Sequence, residues 1–205
     1  MKETDKKTDR RIVRSKEALR EALLTLMNQK DFASISITEI VELANYNRGT
    51  FYSHYASKTA LLDDIVSLLI QDLLRSYRAP YEHTDVFRVD ELPANAILIF
   101  GHFHQHASVY RTLLKSDVLP AVREQMLVAL KQIAMEDLDF ASSDINPELL
   151  AVYSIHALMG LIFHWIEHDF NYSPTYMQEQ LVKLINRQPT TALTVNKHAA
   201  PPPKE

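Results

Sequence analysis

Apolar residues recur every three or four positions along most of the chain, the spacing that places them on one face of an α-helix. The chain has only three glycines, which argues against tight hairpins and against a glycine-rich loop that binds phosphate. We therefore predict an all-α protein of about nine helices. They are expected over residues 9–29, 37–44, 48–55, 58–75, 94–106, 109–115, 118–137, 147–168 and 174–187.

Several of these helices begin at a recognisable capping residue. Ser36 and Glu39 have the spacing of a capping box, in which each side chain accepts from the backbone N–H of the other residue. A helix is therefore expected to start directly after Ser36. The other expected N-caps are Asn47, Ser57 and, each before a proline at the first helical position, Asn146 and Ser173.

Residues 36–58 have the layout of a helix-turn-helix, the two-helix motif that reads DNA. A short apolar-faced helix ends near Ala44, and residues 45–47 follow with side chains that tolerate turn conformations. In the next short helix Phe51 and Tyr55 lie four residues apart and are expected to anchor it. The first helix is expected to pack against this pair through an apolar stripe of Ile12, Leu19, Leu23, Leu26 and Met27.

The segment Gly49-Thr50-Phe51-Tyr52, followed by His54-Tyr55, Ser57-Lys58 and Leu61-Leu62, resembles the signature of the TetR family of bacterial transcriptional regulators. The resemblance covers roughly residues 10–70. It implies that the second short helix enters the major groove of DNA, with Arg48, Gly49 and His54 facing bases. It also implies phosphate contacts from Thr38, Thr50, Tyr52 and Lys58. Two positions depart from the usual pattern: Asn45 replaces a turn glycine, and Tyr55 replaces a phenylalanine.

Charge is distributed unevenly along the chain. Residues 1–60 contain eleven Lys and Arg against eight Asp and Glu, whereas residues 61–205 contain eleven against eighteen, and the whole chain has a net charge of −4. A basic amino-terminal part directs attraction for phosphate to one surface. Lys6, Lys7, Arg10, Arg11, Arg14 and Lys16 lie at or before the first helix, in a segment that is either a phosphate-binding arm or a solvated, disordered start.

Length and composition predict the domain organisation. We expect a DNA-binding headpiece over residues 1–60, a helical regulatory and dimerisation domain over residues 61–188, and a disordered tail over residues 189–205 that ends in a proline run. The absence of cysteine excludes disulfides and thiolate metal sites. We identified no leader and no uncharged apolar stretch of about 18 residues, so we expect a cytoplasmic protein with no membrane partner.

The penultimate helix is predicted to form a homodimer interface, because it is apolar on more than one face and carries a mid-helix glycine. An ordinary core helix is the alternative. The resemblance implies that the last two helices pair with their copies in a four-helix bundle. The expected interface residues are Ile155, Gly160, Ile162 and Trp165.

The resemblance also implies that the second domain binds a small, largely apolar ligand. The expected pocket wall consists of Phe100, Phe103, Met126, Tyr153, His156, Met159 and Phe163, and plain core packing is the alternative at each position.

The histidines admit three interpretations. His102 and His106 share a helix face, but two imidazoles supply only half of a metal site. We therefore expect structural or solvent-exposed histidines first, a ligand pocket second and a metal third, and we predict no cofactor. No nucleophile elbow, Walker loop or paired-carboxylate motif is present in the sequence, so no enzyme activity is predicted.

Three functions follow from these patterns. The first is a DNA-binding regulator that acts as a homodimer on an inverted-repeat operator in double-stranded DNA, a repressor relieved by the small ligand. The second is a coactivator of the same fold that works through a protein partner. The third is a helical metal-binding or catalytic protein.

Overall fold

The computed structural model describes residues 3–83, 91–138 and 145–186. All regular structure in these three ranges is helical, which confirms the all-α prediction. The nine α-helices of the described residues are α1 (Glu3–Met27), α2 (Ile37–Leu43), α3 (Arg48–His54), α4 (Lys58–Arg78), α5 (Ile99–Gln105), α6 (Ala107–Leu114), α7 (Leu119–Asp137), α8 (Pro147–Glu167) and α9 (Pro174–Ile185).

The predicted caps are all present. Ser36 and Glu39 form both halves of the capping box at the start of α2. The side chains of Asn47, Ser57, Asn146 and Ser173 accept from backbone N–H groups at the starts of α3, α4, α8 and α9. The two largest differences from the predicted boundaries are at helix starts. Helix α1 already begins at Glu3, and α5 begins only at Ile99, after a 3-10 turn over Ala94–Ala96.

Helices α1, α2 and α3 pack together around the start of α4. The predicted stripe of α1 is buried from Leu19 to Met27, but Ile12 is 41% exposed and the prediction for it was wrong. The apolar repeat thus extends farther along α1 than the part of the helix that the other helices cover. In place of a flexible arm or a disordered start, residues 3–9 continue α1 as helix.

The α2–α3 turn fixes the angle between the two short helices. Asn45 adopts the left-handed conformation, with φ 57°, that the sequence suggested for this position. Its N–H donates to Glu42 O at 3.1 Å, and the N–H of Tyr46 donates to Val41 O at 2.8 Å. This pair of bonds is a Schellman ending, which satisfies carbonyls at the end of α2 and directs the chain into α3.

The second domain is built on α4, which runs without interruption through the predicted domain boundary at residue 60. Helix α4 contacts α1, α5 and α7. Helix α8 packs on α7 and α6, and α9 packs on α5. The predicted tail, residues 189–205, lies outside the described residues.

Helix α8 alone among the described helices is long and apolar enough to cross a membrane. Our expectation that no such stretch exists was therefore wrong. Its buried residues, which include Ile155, Met159 and Trp165, belong to the packed interior of this fold. A core helix passes the same test of length and composition, so the finding is weak evidence for a membrane segment.

Tyr55 ends α3 with a buried hydroxyl that explains its departure from phenylalanine. The hydroxyl donates to Asp64 Oδ2 on α4 at 2.7 Å, and Arg20 Nε on α1 donates to the same oxygen at 2.7 Å. Burial, and next the hydrogen bond to Asp64, raise the pKa of Tyr55 to about 12. Burial also raises the pKa of Asp64, but the bonds from Tyr55 and Arg20 outweigh it, so the net pKa is lowered. The network joins α1, the end of α3 and α4.

Replacing Tyr55 with phenylalanine is therefore expected to lower the free energy of unfolding by about 1 kcal/mol, because a hydrogen bond to a carboxylate is lost while Arg20 still pairs with Asp64. Chemical denaturation measures the change. Tyr46→Phe is the matched control, since that ring is partly exposed and should tolerate the loss of its hydroxyl. Equal stability of the Tyr55→Phe variant and the wild type would contradict a role for the network.

Candidate nucleic-acid interface

Helix α3 is held from one side and leaves the other side exposed. Phe51 is fully buried, and Asn47 Oδ1 accepts from the Thr50 N–H at 2.8 Å. A side chain at position 49 would meet that capping oxygen, because an added Cβ would lie 3.1 Å from Asn47 Oδ1. Glycine therefore leaves the cap undisturbed. The exposed residues of α3 are Arg48, Gly49, Tyr52 and Ser53.

Arg48 and Gly49 lie on the exposed side, as expected for residues that face bases, but His54 does not. Its Nε2 lies 2.7 Å from Ser15 Oγ on α1. The Ser15 hydroxyl donates to a carbonyl of its own helix, at 2.9 Å from Arg11 O and 3.0 Å from Ile12 O, so His54 Nε2–H is the donor between the two side chains. Burial, and next the charge of Lys16, lower the pKa of His54. We therefore correct its expected position: a neutral His54 ties α3 to α1.

The four predicted phosphate contacts have different surroundings. Thr38 is exposed in the first turn of α2, and Tyr52 is 51% exposed on α3, so both are accessible to a partner. Thr50 is half-buried, and its hydroxyl donates to Asn47 Oδ1 at 3.2 Å. The Lys58 ammonium donates to the carbonyls of Phe32, Ala33 and Ile35 at 2.8, 2.7 and 2.7 Å. All three of its N–H donors therefore already have partners within the chain.

Lys58 is one half of a clamp on the α1–α2 connection. The other half is Asp117, in the α6–α7 connection, whose carboxylate accepts from the N–H groups of Phe32 at 3.0 Å and Ala33 at 3.3 Å. The cation thus satisfies the carbonyls of the turn and the anion satisfies its N–H groups. Asp117 belongs to the second domain, so the turn also joins that domain to the headpiece. The sequence did not predict this contact, because Asp117 lies 85 positions from Phe32 and leaves no local signal there.

Replacing Lys58 with methionine is expected to lower the free energy of unfolding by about 1–3 kcal/mol, because three carbonyls lose a charged donor. The unbranched methionine side chain keeps the apolar contact with the Phe32 ring, over which the ammonium lies at 4.8 Å. Chemical denaturation measures the loss. Lys183→Met, on the exposed side of α9, is the control and should be neutral. If both variants unfold at the same denaturant concentration, the clamp does not stabilise the fold.

Exposed arginines of α1 add positive charge beside α3. Arg10, Arg11 and Arg14 are exposed, and Arg10 and Arg14 border a shallow surface depression. Because Ser15 contacts His54 at the end of α3, these side chains lie within about one or two helical turns of that contact. The basic residues of α1 therefore lie near the carboxyl end of α3.

The predicted pocket wall is divided between the interior and the surface. Tyr153 is 74% exposed and His156 is exposed, so neither lines an interior pocket, and the prediction was wrong for both. They lie on the outer side of α8. The buried members are Phe100, Phe103, Met126, Met159 and Phe163.

Three of the four predicted dimer-interface residues are buried, so the prediction was wrong for them. Ile155, Ile162 and Trp165 are buried within the single chain, and the Trp165 Nε1–H donates to Tyr172 O at 3.1 Å. These three residues are not accessible to a second copy. Gly160 is exposed, and an added Cβ there would meet no atom within 4 Å. The exposed residues along its side of the helix, which we call the outer face of α8, include Leu149, Tyr153, His156, Ala157, Gly160 and His164.

The histidines fall into separate environments. His104 stacks on Trp165 with ring centroids 6.3 Å apart, while His164 and His168 pair on the surface of α8 at 4.1 Å. His102 and His106 share a face, as predicted. Both contact Asp72 of α4, a carboxylate that sequence analysis did not associate with them.

Two family models match successive parts of the chain. The model described as bacterial regulatory proteins, tetR family, matches residues 19–65, which include α2 and α3. The model described as transcriptional regulator C-terminal region matches residues 90–187. Together the two matches span most of the chain.

Similar proteins point in the same direction. The chain is 26% identical over 188 residues to the uncharacterized HTH-type transcriptional regulator YxbF of Bacillus subtilis, covering 90% of this chain and 48% of YxbF. It therefore spans about half the length of that relative. The fold is similar to that of a TetR transcriptional regulator from Streptococcus agalactiae, with a TM-score of 0.58, 23% identity, and coverage of 88% of this chain and 98% of that one.

A putative TetR-family regulator from Syntrophomonas wolfei has the same fold, with a TM-score of 0.65, 14% identity, and coverage of 83% of this chain and 92% of that one. The family models account for the helix-turn-helix at one end and for the helical domain that follows it. The chain belongs to the TetR family of bacterial transcriptional regulators.

Proposed function

We propose that this chain binds a specific inverted-repeat sequence in double-stranded DNA as a homodimer and represses transcription until a small apolar ligand binds. The observation that carries the proposal is the presentation of α3. Phe51 and Tyr55 bury one side of the helix, the Asn47 cap fixes its start, and Arg48 and Tyr52 remain exposed on the other side. A short rigid helix with exposed polar groups suits the major groove.

The exposed residues divide into two roles in DNA binding. Arg48 has a planar guanidinium that can donate two hydrogen bonds to one guanine edge, so it is proposed to specify sequence. Thr38 and Tyr52 carry hydroxyls that suit phosphate oxygens, which position the protein without reading sequence. The exposed arginines of α1, Arg10, Arg11 and Arg14, add attraction to the DNA backbone. Lys58 and His54 are proposed to act through the headpiece, since their polar atoms already bind the chain itself.

Homodimerisation is proposed through the outer face of α8. Leu149 and Tyr153 are large, well-exposed side chains on that face, and Gly160 permits close approach of a second helix. A two-fold dimer presents two copies of α3 to half-sites about 34–36 Å apart or at a multiple of that distance. This face replaces the buried residues that the sequence had suggested.

Ligand control is proposed to pass through the contacts between the domains. Asp117 of the second domain holds the α1–α2 connection, and α4 runs from the headpiece into the buried cluster around Phe103 and Met126. A ligand that rearranges this cluster would shift both connections. A regulator of this kind acts in the cytoplasm, where its DNA is found.

A salt titration of DNA binding tests the proposal. Operator affinity, measured by fluorescence anisotropy, should fall steeply and linearly on a log–log plot as salt rises, because each phosphate contact releases counterions. Light scattering should show a dimer with and without DNA. Binding that is indifferent to salt, or a monomer on DNA, would contradict the proposal.

Ligand control has a separate test. A compound that stabilises the chain in a thermal-shift screen should bind less tightly to the operator complex, and operator affinity should fall by the same factor, typically about 5–150-fold. A compound that binds the free chain and the operator complex with equal affinity would not be an inducer.

A further inference from the structure

Three potential metal ligands from different parts of the chain converge beside α4. His102 Nδ1 on α5 and His106 Nε2 at the joint between α5 and α6 each lie 3.0 Å from Asp72 Oδ2. The three ligand atoms all lie within 4.8 Å of one another. Bonds of about 2.0–2.1 Å to a central tetrahedral ion would place such atoms about 3.3 Å apart, so the side chains need to move by only about 1 Å to enclose an ion.

The surroundings of the three groups suit a metal ion. The His102 side chain is almost fully buried, whereas those of His106 and Asp72 are 30% and 34% exposed, so an ion can enter from solvent. Imidazole nitrogens and a carboxylate oxygen are groups that ligate a divalent ion, and all three ligand atoms converge here.

A fourth side chain orients the buried imidazole. The Tyr110 hydroxyl lies 2.7 Å from His102 Nε2, inside the core. A hydroxyl donates or accepts, so Tyr110 can pair with either tautomer of His102. When Nδ1 ligates an ion, the ring proton moves to Nε2 and donates to Tyr110. Metal-bound histidines commonly use their second nitrogen in this way, and the partner fixes the direction of the ring.

The guanidinium of Arg75 would compete with a metal ion for Asp72, but it is free to move away. Arg75 Nη2 lies 2.5 Å from the other Asp72 oxygen, Oδ1, but the Arg75 side chain is 78% exposed. It can therefore turn into solvent when an ion arrives, or continue to pair with Oδ1 while Oδ2 binds the ion. A surface ion pair of this kind contributes little to stability, so its rearrangement costs little.

We propose that Asp72, His102 and His106 bind one divalent transition-metal ion, such as Zn²⁺, through two imidazole nitrogens and one carboxylate oxygen. Imidazole favours zinc, copper and nickel over calcium and magnesium, and the chain has no thiolate to compete for the ion. Three protein ligands leave one coordination position of a tetrahedral ion to water. The ion joins α4 to the α5–α6 joint.

The test uses the full chain after treatment with EDTA and dialysis. Zn²⁺ is titrated against a chromophoric chelator, and one ion should bind per chain. Asp72→Asn and His106→Ala should each weaken Zn²⁺ binding more than about 100-fold, since even the loss of an outer partner costs about 10–100-fold. Tyr110→Phe, which removes such an outer partner, should weaken Zn²⁺ binding by about 10–100-fold. Zn²⁺ should raise the melting temperature of the wild type but not that of His106→Ala.

The control is His168→Ala, which removes one member of the exposed histidine pair on α8 and should leave Zn²⁺ affinity unchanged. Circular dichroism of each metal-free variant checks that it folds, and Co²⁺ absorption in the visible range reports the ligand geometry independently. Absence of bound Zn²⁺ at micromolar concentrations would overturn the proposal. So would Zn²⁺ binding that survives in both folded site variants, or binding that is lost in His168→Ala.

Discussion

Substitution of Gly160 with glutamate is expected to convert the proposed homodimer to a monomer while the chain remains folded. Gly160 is exposed on α8, and an added Cβ meets no atom within 4 Å, so one protomer tolerates the side chain. Within the helix, any ordinary residue is favoured over glycine by up to about 1 kcal/mol. At a helix–helix interface, however, the bulk and the unpaired charge oppose association.

Operator affinity should fall together with the dimer. Two copies of α3 on one duplex bind with an effective concentration that separate monomers lack, and such linkage raises affinity by about 10²–10⁴-fold. Light scattering measures the mass and fluorescence anisotropy measures the affinity.

Gly101→Glu is a matched control for this substitution. Gly101 is also helical and exposed, and an added Cβ there also meets nothing within 4 Å, but it lies on α5. It should remain dimeric. Ile162→Asp, by contrast, should unfold the chain, because Ile162 is fully buried within one protomer. A dimeric Gly160→Glu variant with normal operator affinity would move the interface away from the outer face of α8.

Arg48→Ala is expected to cost about 1–3 kcal/mol of operator affinity and to relax preference at one base pair in each half-site. The side chain is exposed at the first position of α3 and makes no contact that holds the helix, so the fold should not change. Affinity for unrelated DNA should fall much less. A panel of operators, each altered at one base pair, measured by anisotropy, gives both quantities.

Tyr52→Phe is the comparison that separates the two roles. It removes a proposed phosphate contact and should weaken binding to all operators of the panel by a similar factor. If Arg48→Ala and Tyr52→Phe show the same profile across the panel, the division into base and phosphate contacts is wrong.

Local signals in the sequence predicted the headpiece well. The capping box at Ser36, the cap at Asn47 and the left-handed Asn45 each depend on residues a few positions apart, and all three are present. Such features are fixed by short-range sterics and hydrogen bonds, which sequence spacing records directly.

Contacts between distant residues could not be predicted in this way. His54 contacts Ser15, which lies 39 positions earlier in the chain, and His102 contacts Asp72, which lies 30 positions earlier. The sequence around either histidine therefore does not indicate its partner. The buried face of α8 could not be predicted for a different reason. The helix is apolar on two sides, and periodicity alone does not say which side the chain itself covers. Ile155 and Ile162 were therefore assigned to the interface, although they face the core.

Sequence-specific binding is tested by sequencing the DNA that the purified chain retains from a pool of genomic duplex fragments. The retained fragments should share an inverted repeat, with half-site centres about 34–36 Å apart along the helix or at a multiple of that distance. Retention of no DNA, or of fragments without a common sequence, would contradict sequence-specific binding.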